Sequence, residues 1–518
     1  MGSLAACSSE PKSRAGDSDA ASLCVDPAAQ EPASGVIPDP QLLISSVCQE
    51  GALAGFDANR RWYLEEGSPG IFDGAAPVDF STSCERGLNV SVGRSITQIE
   101  IEHSLLTDDF LFFRRERVFD NSDLTLVDAW LLCGKDEEGR LVGQAVHCEI
   151  SRSGDNCDLT NLTMIPFGRL PNESEAEGLE MLSEYNGEGG SWQGDFAANV
   201  RVRGDIAYVV IDEGGMRVVD ITDLSTPLEV GTFAAQEEEG FNDIKIVANA
   251  EDEVFALLAS NSRGMLIVDV TDPSDPKEVI SVTPSGRANE GVHTIFTEVI
   301  DGVTVAYLAD GSSNLVTIWD VSNPRLPTKL GAQRSENLDW AVHDVFADQG
   351  RLYLNATVGG MIIADTLPFG QASVEVGHYT NTEPSYSHVS WVTEAAGRKI
   401  AVHGDEGYNG HFKIIDVDPS SNEFMEEIGR YQTRAQVSAH NVIAVGEKAY
   451  AAYYQDGIRV LDLSDPTNPT LAAYFNTWDP ANSPGGKFEG AVGIDVDTER
   501  GLIFVADYPR GLLILREL

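Results

Sequence analysis

Positive charge is scarce in this sequence. Its 518 residues include 35 Lys and Arg against 82 Asp and Glu, which gives a formal net charge of −47 at pH 7. An electrostatic field of this sign repels nucleic acid and anionic lipid, so we expect neither as a partner. The surplus of carboxylates is typical of a solvated acidic surface, and recruitment of divalent cations or basic partners is the alternative interpretation.

Long apolar runs and several well-known catalytic motifs are also missing. No stretch is long and apolar enough to span a bilayer as a helix, and there is no Walker loop, GxSxG elbow, HExxH or dinucleotide fingerprint. These absences disfavour an enzyme that depends on one local motif. They leave open a site whose residues come from distant parts of the chain.

Cysteine is confined to the first third of the chain. The sequence Leu4-Ala5-Ala6-Cys7 resembles the lipobox, at which bacterial lipoprotein signals are cleaved and the cysteine is lipidated. The basic region and apolar stretch that a signal places before this box are missing from the sequence. We therefore predict Cys7 as the lipidated residue of a chain whose start is incomplete, and the alternative is an accidental match.

The other six cysteines predict disulfide bonds. An even number confined to one segment of an exported chain is typical of a disulfide framework, although the sequence does not reveal the pairing. Free thiols are the first alternative, and a zinc site is disfavoured because there is no CxxC pair. The candidates are Cys24, Cys48, Cys84, Cys133, Cys148 and Cys157.

Composition divides the first third of the chain into two parts. Residues 1–40 contain mainly Ser, Ala, Asp, Glu and Pro, so we predict a disordered anchor or tether. Residues 41–170 contain strand-like runs and predict a small, Cys-containing β accessory domain. The clearest runs are 88–92, 96–102, 110–119, 125–133 and 141–150.

A repeat organises the rest of the chain, from residue 178 to residue 518. In each copy a hairpin turn leads into a strand that ends in Asp, or in Arg in the last copy. These strands end at Asp220, Asp269, Asp320, Asp365, Asp416, Asp462 and Arg516, 45 to 54 residues apart. Seven copies of short strands without a helical period predict an all-β fold, a seven-bladed β-propeller.

One copy carries a family resemblance. Leu266-Ile267-Val268-Asp269, followed by Val-Thr-Asp-Pro-Ser-Asp-Pro, resembles the LVIVD repeat, as do the copies near Val218 and Ile458. The resemblance covers residues 178–518 and implies a β-propeller like those of bacterial and archaeal surface or exported proteins, including choice-of-anchor types. The biochemical role of that family is largely undefined, so the resemblance implies a fold and a location but no reaction.

The two ends of the repeat region predict how the propeller closes. The last copy stops after its third strand, and residues 179–185 resemble the outer strands of other copies. We predict that residues 179–185 pair with residues 511–516 and supply the missing strand. This pairing also removes a free sheet edge.

Histidine recurs at one position of the repeat, where the innermost strand of a blade begins and lines the channel. Equivalent positions lie at similar height around the axis, so we predict that these side chains point inward at one end of the channel. Neutral imidazoles gathered with a carboxylate suit Zn, Cu, Fe or Ni. The alternatives are a packing position copied by duplication and an acid-base role. The candidates are His293, His343, His388 and His440, with Asn242 in an earlier copy and Glu489 in the last.

A second candidate set lies where the second strand of one copy ends. His403, Asp405 and Glu406 exceed what a hairpin turn needs, and the loop from Gly404 to Gly410 is longer than its counterparts. Loops on a rigid ring commonly carry binding residues, so this loop is a second place for a ligand.

These patterns predict an exported, lipid-anchored β-propeller at the bacterial outer membrane or cell surface. We expect a monomer that acts as a binding or interaction module for a protein or small-molecule ligand, which the sequence does not identify. The alternative is a metal-dependent enzyme in which the channel histidines hold a divalent transition metal.

Overall fold

The structure is a computed structural model. It describes residues 48–54, 56, 62–64, 76–83, 87–94, 97–101, 103–119, 124–137, 139–152, 154–170, 173–192, 195–287, 290–334, 340–381, 386–407, 410–434, 436–479 and 488–518. Cys7, Cys24, Cys84 and the predicted tether at residues 1–40 lie outside the described residues. Within them no helix is long and apolar enough to cross a membrane.

Of the part before residue 167 that the structure describes, nine strands form one antiparallel sheet. They are β1 (Trp62–Leu64), β2 (Ala76–Ser83), β3 (Gly87–Arg94), β4 (Thr97–Ile101), β5 (His103–Leu106), β6 (Leu111–Val118), β7 (Thr125–Lys135), β8 (Leu141–Ser151) and β9 (Gly154–Pro166). The order across the sheet is β4-β3-β2-β1-β9-β8-β7-β6-β5. The runs seen in the sequence correspond to β3, β4, β6, β7 and β8, whereas β1, β2, β5 and β9 were not predicted.

The nine-stranded sheet buries apolar side chains on both faces. In β7, Trp130 and Leu132 belong to one core cluster, and Ala129 and Leu131 belong to another. This split follows from the two-residue period of a strand, which sends successive side chains to opposite faces.

Among the described residues, two disulfide bonds stabilise this region. Cys148 and Cys157 lie opposite each other on β8 and β9, with their Cα atoms 4.1 Å apart. Cys48 is bonded to Cys133 of β7 across a sequence separation of 85 residues. The predicted disulfides are confirmed for these four cysteines, and the oxidation of Cys24 and of Cys84 to disulfides stays a prediction.

Five four-stranded sheets follow in chain order, each built from four consecutive strands. They are β12–β15 (Ala197–Arg203, Ile206–Ile211, Gly215–Asp220, Leu228–Phe233), β16–β19 (Phe241–Ala248, Val254–Ser260, Gly264–Asp269, Lys277–Val282), β20–β23 (Thr294–Ile300, Val303–Ala309, Leu315–Asp320, Thr328–Arg334), β24–β27 (Asp344–Asp348, Arg351–Asn355, Met361–Asp365, Val374–Tyr379) and β28–β31 (Ser387–Ala395, Arg398–Asp405, Phe412–Asp416, Glu427–Tyr431).

Two more sheets combine strands from both ends of the repeat region. One contains β10 (Ala176–Glu177) and the four strands β32–β35 (Val442–Val445, Lys448–Ala452, Ile458–Asp462, Thr470–Phe475). The other contains β11 (Leu179–Tyr185) and the three strands β36–β38 (Gly490–Asp497, Leu502–Tyr508, Gly511–Glu517).

These seven sheets form a ring. The first strand of each sheet contacts the first strand of the next, from β12 through β16, β20, β24, β28 and β32 to β36, and β36 contacts β12 in turn. The first strands are therefore the innermost and line the channel. The predicted all-β propeller fold is confirmed.

The ring closes through β11, as the sequence predicts. This strand pairs antiparallel with β38, with Leu179 opposite Glu517 and Tyr185 opposite Leu512. Leu179 is buried in the core that the last two sheets share. The last sheet therefore obtains its outer strand from the start of the repeat region.

The aspartate at the end of the third strand of a repeat makes a turn. Asp220, Asp269 and Asp462 each accept a hydrogen bond from the backbone N–H two residues later, at 2.8 to 3.0 Å. Such a side-chain contact favours a turn over further strand pairing. It explains why the repeat ends its apolar run in Asp.

Candidate functional site

Four histidine rings form an arc at one end of the channel. The ring centroids are 4.3 Å apart for His293 and His343, 4.4 Å for His343 and His388, and 4.5 Å for His388 and His440. The ring of Tyr454 continues the arc, 4.7 Å from His440. The structure thus brings the four predicted histidines together.

Backbone pairing sets the common position of these histidines. The N–H groups of His293, His343 and His440 donate to the carbonyls of Ala309, Asn355 and Ala452, just before the first strand of each sheet begins. His388 lies at a bulge of β28, where the pairing register shifts between Ser387 and Val389. The same local geometry in neighbouring sheets gives the four side chains one level on the ring.

The last sheet differs from the sequence prediction. The bulge of β36 lies between Ala491 and Gly493, so Val492, and not Glu489, occupies the position that His388 has in β28. Glu489 precedes the strand, and its carboxylate accepts a hydrogen bond from Trp478 Nε1 at 3.1 Å. The placement of Glu489 at the histidine position is therefore wrong, because the bulge adds a residue that the sequence pattern does not reveal.

Asn242 lies at the bulge of β16, as predicted. Its Nδ2 atom is 3.0 Å from Nδ1 of His293, so it extends the polar arc by one sheet.

Glu406 supplies the carboxylate that Glu489 does not. It follows the end of β29, and its backbone N–H donates to the Tyr386 carbonyl at 2.8 Å. Glu406 Oε2 lies 3.9 Å from His388 Nε2, and the Tyr454 hydroxyl donates to Oε1 at 2.6 Å. Potential ligand atoms of His343, His388 and Glu406 all lie within 4.8 Å of one another. One member of the second candidate set, Glu406, thus lies beside the channel histidines.

Burial determines the protonation of this cluster. His343, His388 and Glu406 are 3%, 4% and 3% exposed. Burial lowers the pKa of His343 and the pKa of His388 well below the usual value for imidazole. It also lowers the pKa of His293 to about 4, although the charge of Glu406 opposes this effect. The imidazoles are therefore neutral at neutral pH, which is the form that binds metal.

Hydrogen bonding separates the four histidines into two kinds. His440 Nδ1 lies 2.7 Å from the Val492 carbonyl and donates to it. Nδ1 of His343 and Nδ1 of His388 are buried without a hydrogen-bond partner among the described residues. A buried polar atom without a partner is rare in folded proteins and calls for an explanation such as an ion.

His403 and Asp405 lie in a separate buried network. His403 Nδ1 is 2.9 Å from Ser390 Oγ, whose hydroxyl donates to Asn355 at 2.6 Å. Asp405 forms an ion pair with Lys413, which is itself buried. Of the three loop candidates, only Glu406 joins the channel histidines. His403 and Asp405 are still part of β29, and their partners are the buried residues just named.

Tyr454 is the site residue that the sequence analysis missed. It lies in the hairpin after β33 and has a φ of 36°, in the left-handed region that non-glycine residues rarely adopt. The Gly457 N–H donates to its carbonyl at 2.8 Å, and the Ala491 N–H does so at 3.0 Å. A positive φ at a non-glycine residue beside a polar cluster indicates a functional residue, and only the structure reveals this conformation.

The donor set of this cluster fits a divalent transition metal. Two imidazole nitrogens and one carboxylate oxygen are typical ligands of Zn, and the same combination binds non-haem Fe(II). The fit rests on the unpartnered Nδ1 atoms and on the short separation of the three side chains.

Two solved structures are similar to parts of this chain. The WD40 β-propeller domain of Doa1 is 12% identical, with a TM-score of 0.46 over 66% of this chain and 98% of that chain. The computationally designed Ika8 protein is 10% identical, with a TM-score of 0.40 over 80% of this chain and 96% of that chain. At these TM-scores neither likeness carries an argument about function. No curated protein sequence matches the chain.

A sequence-family profile gives the more specific result. The LVIVD repeat matches residues 194–235, 252–284, 305–332 and 438–477. The matches fall in four different sheets of the ring. The chain therefore contains LVIVD repeats, and its structure is a β-propeller.

Proposed function

We propose that this propeller is a binding module whose channel holds one divalent transition metal ion on His343, His388 and Glu406. The observation that carries the proposal is the convergence of these three side chains within 4.8 Å. They come from three separate places in two neighbouring sheets. Neutral imidazoles and a carboxylate at this separation can approach a common centre, with bonds of about 2.0 to 2.2 Å to Zn²⁺.

The competing explanation is that the histidines pack the ring and bind nothing. A packing histidine is expected to satisfy its ring nitrogens with protein partners, as His440 does through the Val492 carbonyl. His343 and His388 leave Nδ1 unpartnered in a buried environment. This difference between histidines at one repeat position favours ligand binding over packing for these two.

We also propose that the protein is exported and carries a lipid on Cys7. The two disulfides support export, because such bonds form and persist in oxidising compartments. In this proposal the propeller acts at the cell surface as a metal-holding interaction module. Intact-mass measurement of protein from its native compartment tests it, since a diacylglyceryl group on Cys7 adds a characteristic mass.

Metal analysis of protein purified without a metal-binding tag tests the central proposal. After dialysis against a solution of one of these ions, Zn, Fe, Co, Ni or Cu, we expect about one metal ion per chain of wild-type protein. His343→Ala and His388→Ala should each lose most of this bound metal. His378→Ala is the matched control, because His378 lies on the outer strand β27 and contacts the Gly359 carbonyl. Wild-type protein that takes up no metal, or equal metal in all the variants, would contradict the proposal.

A further inference from the structure

We infer that the bound ion takes a small monoanion of the carboxylate class, at a coordination position that the hydrogen bond between Tyr454 and Glu406 keeps open. This inference rests on the proposed metal site and names what that site binds next.

The protein supplies three ligand atoms to the ion. The Tyr454 hydroxyl donates to Glu406 Oε1 at 2.6 Å, and Oε2 is the oxygen that lies 3.9 Å from His388 Nε2. Glu406 therefore offers one oxygen to the ion. With His343 and His388, the protein supplies three ligand atoms, and sites with three protein ligands keep a position for water or substrate.

Packing and backbone hydrogen bonds hold the Tyr454 hydroxyl in place. The side chain is 1% exposed, and its ring lies between His440 at 4.7 Å and Phe488 at 5.5 Å. Its backbone has positive φ, which the hydrogen bonds from Gly457 and Ala491 to its carbonyl maintain. This backbone conformation is energetically unfavourable for tyrosine, and here it directs the side-chain hydroxyl to the carboxylate of Glu406. Tyr454 is thus a positioning residue.

The net charge of the loaded site favours an anion. Imidazole binds metal in its neutral form and carboxylate in its ionised form, so a divalent ion on these three ligands leaves a net charge of about +1. A buried charge is unfavourable unless it is paired, and one monoanion on the open position neutralises it. The surrounding His293 and His440 are both 9% exposed, so access is restricted to a ligand of few atoms.

The test uses the full-length protein loaded with Co(II), whose visible spectrum reports its ligands. Acetate is titrated as the monoanion, and acetamide is the neutral molecule of the same shape. We expect acetate to change the spectrum in a saturable way, with a Kd about tenfold lower than that of acetamide. Co(II)-loaded protein without an acetate response would overturn this inference and leave the metal site intact, whereas failure to load Co(II) would overturn both.

Tyr454→Phe tests the positioning role at saturating Co(II). Removing the hydroxyl releases Oε1, so Glu406 can occupy the open position with its second oxygen, and the Kd for acetate should rise about tenfold. Tyr453→Phe is the matched control, because the Tyr453 hydroxyl donates to the Gly410 carbonyl at 3.1 Å and not to Glu406. An unchanged acetate Kd in Tyr454→Phe, or an equal rise in both variants, shows that the hydroxyl does not hold the position open.

Discussion

His388 and His440 have equivalent places in neighbouring sheets and different partners. His440 donates to the Val492 carbonyl, whereas Nδ1 of His388 has no partner within the described part of the chain. Glu406 lies beside His388, and Tyr454 links that carboxylate to the side of the arc where His440 lies. We therefore propose different roles for these two histidines, although they share one position of the repeat.

Buried carboxyl groups outside the arc give a test at the same scale. Asp507 is fully buried in the last sheet, and burial raises its pKa to about 7, although Thr477 and Arg510 oppose this shift. In the unfolded chain an Asp has a pKa of about 3.9. The folded state therefore retains a proton that the unfolded state releases. The resulting stabilisation is complete below about pH 4 and is lost as the pH rises through about 7.

We predict that Asp507→Asn raises the melting temperature at pH 8 and has little effect at pH 4. Each unit of pKa difference corresponds to about 1.4 kcal/mol, so the gain in unfolding free energy at pH 8 is at most ~4 kcal/mol. Differential scanning calorimetry at both pH values measures it. Asp223→Asn is the control, because hydrogen bonds from Ser225 lower the pKa of Asp223 and its contribution has the opposite sign. At each pH the change in melting temperature is the value for Asp507→Asn minus the value for wild type. A smaller change at pH 8 than at pH 4 would refute the assignment.

Single strands determine both the closure of the ring and the register of the site. β11 pairs along its length with β38, and Leu179 is buried between the last two sheets. The two-residue strand β10 adds only to the edge of β35. The ring therefore depends on β11 far more than on β10.

Replacing residues 179–185 with a Gly/Ser linker of equal length tests this dependence. Loss of the Leu179 side chain alone should cost about 2 to 5 kcal/mol, and the melting temperature of the propeller should fall by at least ~5 °C. Replacing Ala176 and Glu177 with glycine is the control and should lower it by less than ~2 °C. Equal melting temperatures for the two variants would show that β11 does not close the ring.

Strand register also explains which parts of the site the sequence can predict. The four histidines were found because duplication keeps them at one position, and a strand period of two sends them to one face. Glu489 was misplaced because a bulge at Val492 changes the register without a change in the polar pattern. Glu406 was assigned to a different set because its approach to His388 depends on where the chain goes after β29, which no local pattern specifies.

At the scale of the whole molecule, the repeated sequence made the ring predictable. The nine-stranded sheet was difficult to predict because its strands do not repeat. Periodic strands ending in Asp predicted the propeller, because each copy must bury its faces against its neighbours. The nine-stranded sheet has no repeat, and its interior strand β1 has only three residues. Contacts between Phe167 and Trp478, with ring centroids 4.7 Å apart, link the two regions and come from residues without a distinctive pattern.

The ring also explains why no local motif identifies the candidate site. His343 precedes β24, His388 lies in β28, Glu406 follows β29, and Tyr454 follows β33, so the cluster combines three neighbouring sheets. In a chain with a net charge of −47, the acidic field favours the approach of a cation to the channel. The function proposed for the molecule is therefore a property of the closed ring rather than of any one repeat.

Anomalous diffraction from crystals of the full-length protein soaked with Zn²⁺ tests the metal site most directly. In data collected above the zinc absorption edge, we predict one strong anomalous peak in the channel. This peak should lie about 2.0 to 2.2 Å from a ring nitrogen of His343, a ring nitrogen of His388 and a carboxylate oxygen of Glu406. Zinc-loaded crystals whose anomalous peaks all lie elsewhere, with these three side chains unchanged and unbound, would contradict it.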